Sequence, residues 1–141
     1  MIDSNKLKSE LNRGINFQKK GESLKAKHIY LEILDKNPHN PDALNLLGTI
    51  FQENSDHQKA ISFIENAITS APDIADYYSN LAVSQLAMGK IELAYLSCSK
   101  AVEIDPTFSI ANYNLGNSLF AMGRADEATQ FFKVAIDLEP S

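Results

Sequence analysis

The sequence predicts an all-α protein, an α-solenoid made of four copies of a helix–turn–helix repeat. Four prolines, Pro38, Pro72, Pro106 and Pro140, follow one another at intervals of 34 residues. Two series of small residues keep the same interval, and a fixed period of this length is typical of stacked supersecondary units. The two series are Ala26, Ala60, Ala94 and Ala128, and Gly14, Gly48, Ala82 and Gly116.

Apolar residues within a repeat are spaced as in amphipathic helices. In the second repeat Leu44, Leu47, Gly48 and Phe51 follow the i, i+3, i+4, i+7 pattern, and a second stripe begins at Ala60. Each repeat is therefore predicted to be a helical hairpin, and no segment has the alternation of a strand. We expect first helices near 6–20, 41–54, 75–88 and 109–122, and second helices near 23–37, 57–71, 91–105 and 125–139.

The turn inside each hairpin carries a residue that can end a helix. Gly21, Gly89 and Gly123 can adopt the left-handed conformation, and Asn54 with Ser55 takes their place in the second repeat. Each second helix is expected to stop before its proline, which has no amide proton and a fixed φ.

Polar residues after the prolines predict where the next first helices begin. Asn40 before Pro41 is expected to cap the first helix of the second repeat. Asp73, with Asp76 three residues later, is expected to cap the first helix of the third. Inside each hairpin, the glycine or alanine of the first helix is expected to face the alanine of the second, so that the two axes approach closely.

Composition places the chain among soluble intracellular proteins, with the cytoplasm as the expected location. It has 141 residues, of which 44% are hydrophobic, and the polar start and short apolar runs predict neither a secretory signal nor a membrane span. The net charge of −5 has no basic block, which argues against a nucleic-acid partner. The one cysteine, Cys98, lies in an apolar series and is expected to be buried.

No pattern of catalytic or metal-binding residues is found. His28, His39 and His57 lack a second ligand at helical spacing, so we expect neither a metal nor a cofactor. No nucleophile motif or phosphate-binding glycine loop occurs, and the prediction is that the chain is not an enzyme.

The motif L-G-x-x-F at Leu47, Gly48 and Phe51, followed by Ala60 and Pro72, resembles the tetratricopeptide repeat. The resemblance covers four repeats at about 7–40, 41–74, 75–108 and 109–141. It implies a single domain wound as a right-handed superhelix, whose concave wall is lined by the first helices. The tryptophan of the family pattern is absent, and Gln85 replaces the aromatic of the third repeat. Glu10, Leu44, Tyr78 and Asn112 stand at the tryptophan position.

Asparagine is frequent on the expected wall, a pattern similar to the repeat arm of O-linked N-acetylglucosamine transferases. Asn12, Asn80 and Asn114 are in phase with the repeat, so they are expected to stack as a ladder that pairs with the backbone of an extended peptide. Two alternatives stay open, that the asparagines are solvated surface residues or that some of them bridge neighbouring first helices. The predicted peptide-binding residues are Asn12, Asn45, Gln52, Asn80, Leu86, Tyr113, Asn114, Asn117 and Phe120.

The cations that some members of the family use to grip the C-terminal carboxylates of heat-shock chaperones are missing. The matching positions hold Leu11 and Ile15 in the first repeat, and Asp76 and Asn80 in the third. The resemblance therefore does not predict chaperone docking.

The last helix is expected to expose Ile136 and Leu138, because no first helix follows it in the sequence. We expect either that the sequence is part of a longer protein or that this apolar end forms a homodimer. The overall prediction is a non-catalytic scaffold that binds an extended peptide segment. The alternatives are the substrate-recruiting arm of a larger enzyme, such as a glycosyltransferase, and a self-associating repeat module.

Overall fold

The structure is a computed structural model that describes residues 3–139. These residues form eight α-helices and no β-strand, which confirms the predicted all-α class. Every helix begins and ends within two residues of its predicted position. The helices are α1 (Ser4–Lys19), α2 (Ser23–Lys36), α3 (Pro41–Glu53), α4 (His57–Ser70), α5 (Ala75–Ala87), α6 (Ile91–Ile104), α7 (Ser109–Ala121) and α8 (Ala125–Leu138).

The chain divides into two compact units, Met1–Pro72 and Asp73–Ser141. Unit 1 contains α1 to α4 and unit 2 contains α5 to α8, so that each unit holds two of the predicted repeats. In unit 1, α1 packs on α2 and α3 on α4, and α3 also contacts both helices of the first hairpin. Unit 2 has the same arrangement, with α7 against both α5 and α6.

The turns inside the hairpins have the predicted left-handed residue. Gly21, Gly89 and Gly123 have φ values of 79°, 74° and 80°. In the second repeat it is Ser55, with φ 61°, that adopts this conformation. Asn54 is the C-cap of α3 with an ordinary φ of −89°, so the glycine is replaced by the serine alone.

One of the two predicted N-caps is confirmed. Asn40 Oδ1 accepts a hydrogen bond of 2.9 Å from the amide of Ala43, and Pro41 is the first residue of α3. The prediction for α5 is wrong, because the residue at its N-cap is Ile74, which makes no side-chain cap. Asp76 instead lies in the first turn of α5, where a negative charge interacts favourably with the helix dipole.

The glycines of the small series lie against bulky side chains that the prediction did not include. A Cβ on Gly48 would lie 2.6 Å from Ile64 Cγ1, and one on Gly116 would lie 2.6 Å from Phe132 Cε1. Each glycine of this series thus makes room for a bulky side chain of the second helix, and Gly14 does the same for the ring of Tyr30. The expectation that the glycines face the alanine series holds in part, because a Cβ on Gly48 would also lie 3.3 Å from the carbonyl oxygen of Ala60, and the four alanines are fully buried.

The third repeat reverses the sizes in this contact. It has Ala82 at the position of the glycines and Cys98 at the position of the bulky residue, and both belong to one core cluster of unit 2. A larger residue on the first helix is therefore matched by a smaller one on the second, as close packing requires. None of the helices in residues 3–139 has the length and hydropathy needed to cross a lipid bilayer.

Candidate functional site

The first helices of unit 2 carry a row of exposed side chains. Tyr113, Asn117 and Phe120 follow one another on α7 at spacings of four and three residues, so they lie on one face of that helix. Tyr113 is 53% exposed and Phe120 is 66% exposed, and Asn117 between them is half-buried. Large apolar side chains at this level of exposure are uncommon away from interaction surfaces when they are grouped.

Helix α5 packs beside α7 and adds the neighbouring side chains of this face. Val83 is 38% exposed, and Asn80 and Leu86 are half-buried. By the repeat period Leu86 corresponds to Phe120 and Asn80 to Asn114. We call the surface formed by Asn80, Val83, Leu86, Tyr113, Asn117 and Phe120 the first-helix face of unit 2.

Asn114 is not an exposed member of this face. Its side chain is buried, and Nδ2 donates a hydrogen bond of 3.1 Å to Ser79 Oγ, which joins α7 to α5. The backbone carbonyl of Asn114 accepts a second bond, of 3.0 Å, from Ser118 Oγ. The alternative that some asparagines bridge neighbouring first helices is therefore correct for this residue, and an exposed rung at Asn114 is wrong.

The corresponding predicted residues of unit 1 are placed unevenly. Asn12 is exposed on α1 and Gln52 is half-buried on α3. Asn45 is only 2% exposed, so the expectation that it is displayed on the wall is wrong. The asparagines thus do not form a continuous exposed ladder, because Asn45 and Asn114 are buried.

A polar network in unit 1 was not predicted from the sequence. Gln18 Nε2 donates to Thr49 Oγ1 at 2.9 Å and to Glu53 Oε1 at 2.8 Å, which links α1 to α3. Gln18 Oε1 accepts a bond of 2.8 Å from the hydroxyl of Tyr30 on α2. Gln18 is in phase with Gln52, and that periodicity was the one signal in the sequence that pointed to it.

The network changes the acidity of Tyr30. Burial, and then the negative charge of Glu53, raise the pKa of the Tyr30 phenol from 10.0 to about 12. The hydroxyl therefore stays a hydrogen-bond donor to Gln18 at every physiological pH. The hydrogen bonds of Gln18 thus connect α1, α2 and α3.

Two departures from the family pattern make hydrogen bonds in unit 2. Asn112, at the tryptophan position, donates from Nδ2 to the carbonyls of Pro106 and Phe108 at 3.1 and 3.0 Å. It thereby holds the turn that precedes α7. Gln85, which replaces the aromatic of the third repeat, accepts a bond of 2.7 Å from Ser97 Oγ inside the hairpin.

Within positions 3–139 there is no group of three or more His, Cys, Asp or Glu side chains that could hold a metal ion. Cys98 is buried, and burial raises the pKa of its thiol from 9.0 to about 11. His28 pairs with Glu32 on the surface of α2 at 3.0 Å.

The net charge of the chain resides entirely in unit 2. Unit 1 contains nine acidic and nine basic side chains, whereas unit 2 contains nine acidic and four basic ones, so the −5 belongs to unit 2. A ligand of the first-helix face of unit 2 therefore approaches through a negative potential.

The two predicted self-association residues differ in exposure. Ile136 is 67% exposed on α8, whereas Leu138 is half-buried at the end of the same helix. Ile136 is also the most exposed large apolar residue of α8 among those described.

Curated proteins similar to this chain contain tetratricopeptide repeats. The inactive TPR repeat-containing thioredoxin TTL3 of Arabidopsis thaliana is 31% identical over 93 residues, which cover 66% of this chain and 14% of that protein. The small glutamine-rich tetratricopeptide repeat-containing protein 2 of Saccharomyces cerevisiae is 29% identical over 96 residues, covering 68% and 28%. The matched part of the chain thus spans less than a third of the length of each of these two relatives.

Solved structures share the fold. A crystal structure of MamA superposes with a TM-score of 0.80 at 25% identity and covers 96% of this chain and 80% of that one. A mutant O-GlcNAc transferase of Thermobaculum terrenum superposes with a TM-score of 0.78 at 26% identity, covering 84% of this chain and 23% of the transferase.

The family profiles agree with these similarities. Two tetratricopeptide-repeat profiles match residues 29–62, 75–108 and 97–130, which together span more than half of the sequence. The eight helices in four hairpins are those of the solenoids found in the structural comparison. The chain belongs to the tetratricopeptide-repeat family.

Proposed function

We propose that this scaffold for protein interaction holds an extended segment of a partner protein on the first-helix face of unit 2. The observation that carries the proposal is the row on α7, where Tyr113 and Phe120 are more than half exposed with Asn117 between them. A binding surface of this kind needs apolar anchors for side chains and amides for backbone groups.

The face offers both kinds of contact. Phe120 and Tyr113 can bury apolar side chains of a ligand, and aromatic anchors commonly carry a large share of the binding free energy. The amide of Asn117 has donors and an acceptor that match a peptide backbone, and Asn80 lies on the neighbouring helix. The buried hydrogen bond between Asn114 and Ser79 joins α7 to α5, the two helices that form this face.

The charge distribution supports a neutral or basic ligand. Because unit 2 carries the whole net charge of −5, a segment with several carboxylates is repelled. This agrees with the absence of lysine and arginine from the positions held by Asp76 and Asn80, where a carboxylate clamp would require them.

The proposal is tested by selecting binders from a phage-displayed library of unstructured peptides against the wild-type chain. Selected peptides are then titrated, by fluorescence anisotropy, with Phe120→Ala and Asn80→Ala. Leu96→Ala is the matched control, because Leu96 is 61% exposed on α6, outside the first helices. We expect binding to weaken about tenfold or more in Phe120→Ala and to be unchanged in Leu96→Ala.

The proposal is wrong if peptides selected on the wild-type chain bind Phe120→Ala and Asn80→Ala with unaltered affinity while the urea unfolding midpoints stay within error. Peptides rich in Asp and Glu form a second arm of the experiment, and we expect them to be depleted during selection at low salt.

The second candidate is the substrate-recruiting arm of a glycosyltransferase. It is supported by the similarity to the O-GlcNAc transferase of Thermobaculum terrenum, of which the chain covers 23%. The length of the parent reading frame tests it, since a catalytic domain would add several hundred residues of alternating strands and helices. That the chain is non-catalytic, that it lies in the cytoplasm and that it forms a homodimer stay predictions.

A further inference from the structure

The outer face of α2, in unit 1, carries two exposed leucines. Leu24, His28 and Leu31 follow one another at spacings of four and three residues, so they lie on one face of the helix. Leu24 is 83% exposed and Leu31 is 45% exposed, and the side chain of His28 between them is also exposed. We call these three residues the outer row of α2. The buried residues of the opposite face are Ala26, Ile29, Tyr30 and Ile33.

The repeat pattern shows that the outer row is not a packing surface. In the other three repeats the positions that correspond to Leu24 are exposed, and those that correspond to Leu31 are exposed or half-buried. All six hold polar residues, so packing of the repeats requires no apolar side chain there. The exposure of the two leucines therefore does not depend on whether another repeat precedes α1. The six residues are Gln58, Glu92 and Asp126, and Glu65, Ser99 and Lys133.

Positive charge is concentrated beside Leu24. Residues 19–27 contain four lysines and one glutamate, a net charge of +3, whereas the whole chain has −5. Lys25 directly follows Leu24. Its ammonium lies 3.0 Å from Glu22 Oε2 and 5.4 Å from the centre of the Phe17 ring. The other three lysines are Lys19, Lys20 and Lys27.

The start of α2 lacks a negative charge that two other second helices have. Glu92 in α6 and Asp126 in α8 stand at the position of Leu24, in the first turn of each helix. A carboxylate there interacts favourably with the partial positive charge of the helix N-terminus. The first turn of α2 has no acidic residue. A carboxylate supplied by a ligand would therefore be attracted both by the lysines and by the helix dipole.

The far end of the outer row has the opposite charge. Glu32 and Asp35 are exposed beyond Leu31, and Glu32 Oε1 lies 3.0 Å from His28 Nε2. A ligand that follows the row thus meets lysines beside Leu24 and carboxylates beyond Leu31.

We propose that the outer row of α2 binds an amphipathic α-helix of a partner protein, with the carboxylates of the ligand at the end that contacts Leu24. Apolar residues at helical spacing on the ligand cover Leu24 and Leu31, which lie seven residues, or about 10 Å, apart along the axis. The carboxylates of the ligand interact with Lys20 and Lys25. The surface lies on a second helix of unit 1, so this proposal is independent of the proposed peptide site on the first helices of unit 2.

A helical ligand fits this surface better than an extended one. The backbone groups along the middle of α2 are bonded within the helix, so only side chains are available to a ligand. An extended peptide would need partners for its own backbone groups, whereas a helix satisfies them internally.

An anionic bilayer is a poorer match than an acidic helix. A flat surface that contacts Leu24 and Leu31 together also approaches Glu32 and Asp35, which negative lipid head groups repel. A helix can carry its carboxylates at one end only, as the charges along α2 require.

The probe for the experiment is a random display library of peptides of about 16 residues, enough for a helix that spans α2. The library is first cleared on the double variant Leu24→Gln with Leu31→Glu and then selected on the full wild-type chain at low salt. The substitutions introduce the residues that the second repeat has at these positions, Gln58 and Glu65, so the variant is expected to fold. Its urea midpoint checks this.

We expect the selected peptides to carry a net negative charge and to gain helical circular dichroism on binding. In titrations they should bind the double variant at least about tenfold more weakly than the wild type. Lys20→Glu with Lys25→Glu should weaken binding severalfold, and so should about 0.5 M salt.

Leu96→Gln is the matched control. Leu96 is 61% exposed at the position of His28 on α6, and Gln130 stands at the corresponding position of α8. We expect the selected peptides to bind this variant and Phe120→Ala as they bind the wild type. Because Phe120→Ala damages only the proposed peptide site, failure of that site and failure of this proposal are distinguishable.

Three results would overturn the proposal. No peptide that survives the clearing step binds the wild type with a Kd below about 1 mM. The selected peptides are neutral or basic, or they bind Lys20→Glu with Lys25→Glu with unaltered affinity. Vesicles of roughly three parts phosphatidylcholine to one part phosphatidylserine retain the wild type but not the leucine double variant, which would make an anionic lipid surface the ligand.

Discussion

Asn114 and Ser79 are joined by a buried hydrogen bond of 3.1 Å between the side-chain amide of α7 and the hydroxyl of α5. Asn12 is in phase with Asn114 and yet is exposed on α1. The same residue at the same repeat position therefore has different surroundings, because Asn114 has Ser79 of α5 as a buried hydrogen-bond partner.

Replacing Asn114 by alanine is expected to destabilise unit 2. The substitution leaves the buried hydroxyl of Ser79 without this donor, and the expected loss is roughly 1–3 kcal/mol in the free energy of unfolding. Urea denaturation followed by circular dichroism measures it. Asn12→Ala is the control. Its urea midpoint is expected to equal that of the wild type within error, since the side chain of Asn12 is exposed and substitutions of exposed residues usually change stability little. Equal midpoints for the two variants would show that the bond to Ser79 contributes nothing to stability.

Replacing Gly116 by alanine is expected to destabilise the last hairpin, although alanine is the better helix former. The new Cβ would lie 2.6 Å from Phe132 Cε1, so the ring or the helix has to move. We expect a loss of about 1–3 kcal/mol, as for other overpacked cores, measured by thermal and urea unfolding.

The third repeat suggests the compensating change. It combines Ala82 with Cys98 at the two positions in question. Phe132→Cys alone is expected to lose apolar burial. The double variant Gly116→Ala with Phe132→Cys is expected to lose less unfolding free energy than the two single variants lose together. A double-mutant cycle with no coupling would contradict the contact between these two side chains.

The helices were predictable because the signals that end them are local. Gly21 ends its helix through its own positive φ, and Asn40 caps its helix through a hydrogen bond with the amide of Ala43, three residues away. The cap predicted at Asp73 failed because α5 begins one residue later, after Ile74, and a side chain must be at the N-cap itself to reach the free amides.

The candidate site was less predictable because exposure is decided between repeats. The 34-residue phase grouped Asn114 with Asn12 and Asn80, but it carried no information about Ser79, which lies 35 residues away. The same holds for Gln18, whose partners Thr49 and Glu53 are on another helix. Periodicity identifies a face, whereas the hydrogen bonds that cover part of it depend on side chains in the neighbouring repeat.

Cys98 is expected to react very slowly with thiol reagents in the native protein. Its pKa is raised from 9.0 to about 11 by burial, and the thiolate is the reactive form. Near pH 8 the native thiol should react with a disulfide reagent at least about a hundredfold more slowly than the urea-unfolded chain. A Leu96→Cys, Cys98→Ser variant is the control, because position 96 is 61% exposed on the same helix and should react at once. Native labelling of Cys98 at the rate of that control would contradict its burial.

Ionisation of Tyr30 is expected to weaken unit 1 at alkaline pH. The pKa of this phenol is raised from 10.0 to about 12 by burial and by Glu53, so the folded chain keeps the proton after the unfolded chain has lost it. The stability that the neutral phenol contributes is therefore present below pH 10 and is lost as the pH rises from 10 to about 12. Tyr30→Phe removes the bond to Gln18 and should cost about 0.5–1.5 kcal/mol near pH 8, but it keeps the ring beside Gly14. The difference in urea midpoint between wild type and Tyr30→Phe is expected to shrink steadily above pH 10, since only the wild type has this proton to lose. A difference that stays constant up to about pH 11.5 would mean that the phenol ionises equally in both states, which its burial does not allow.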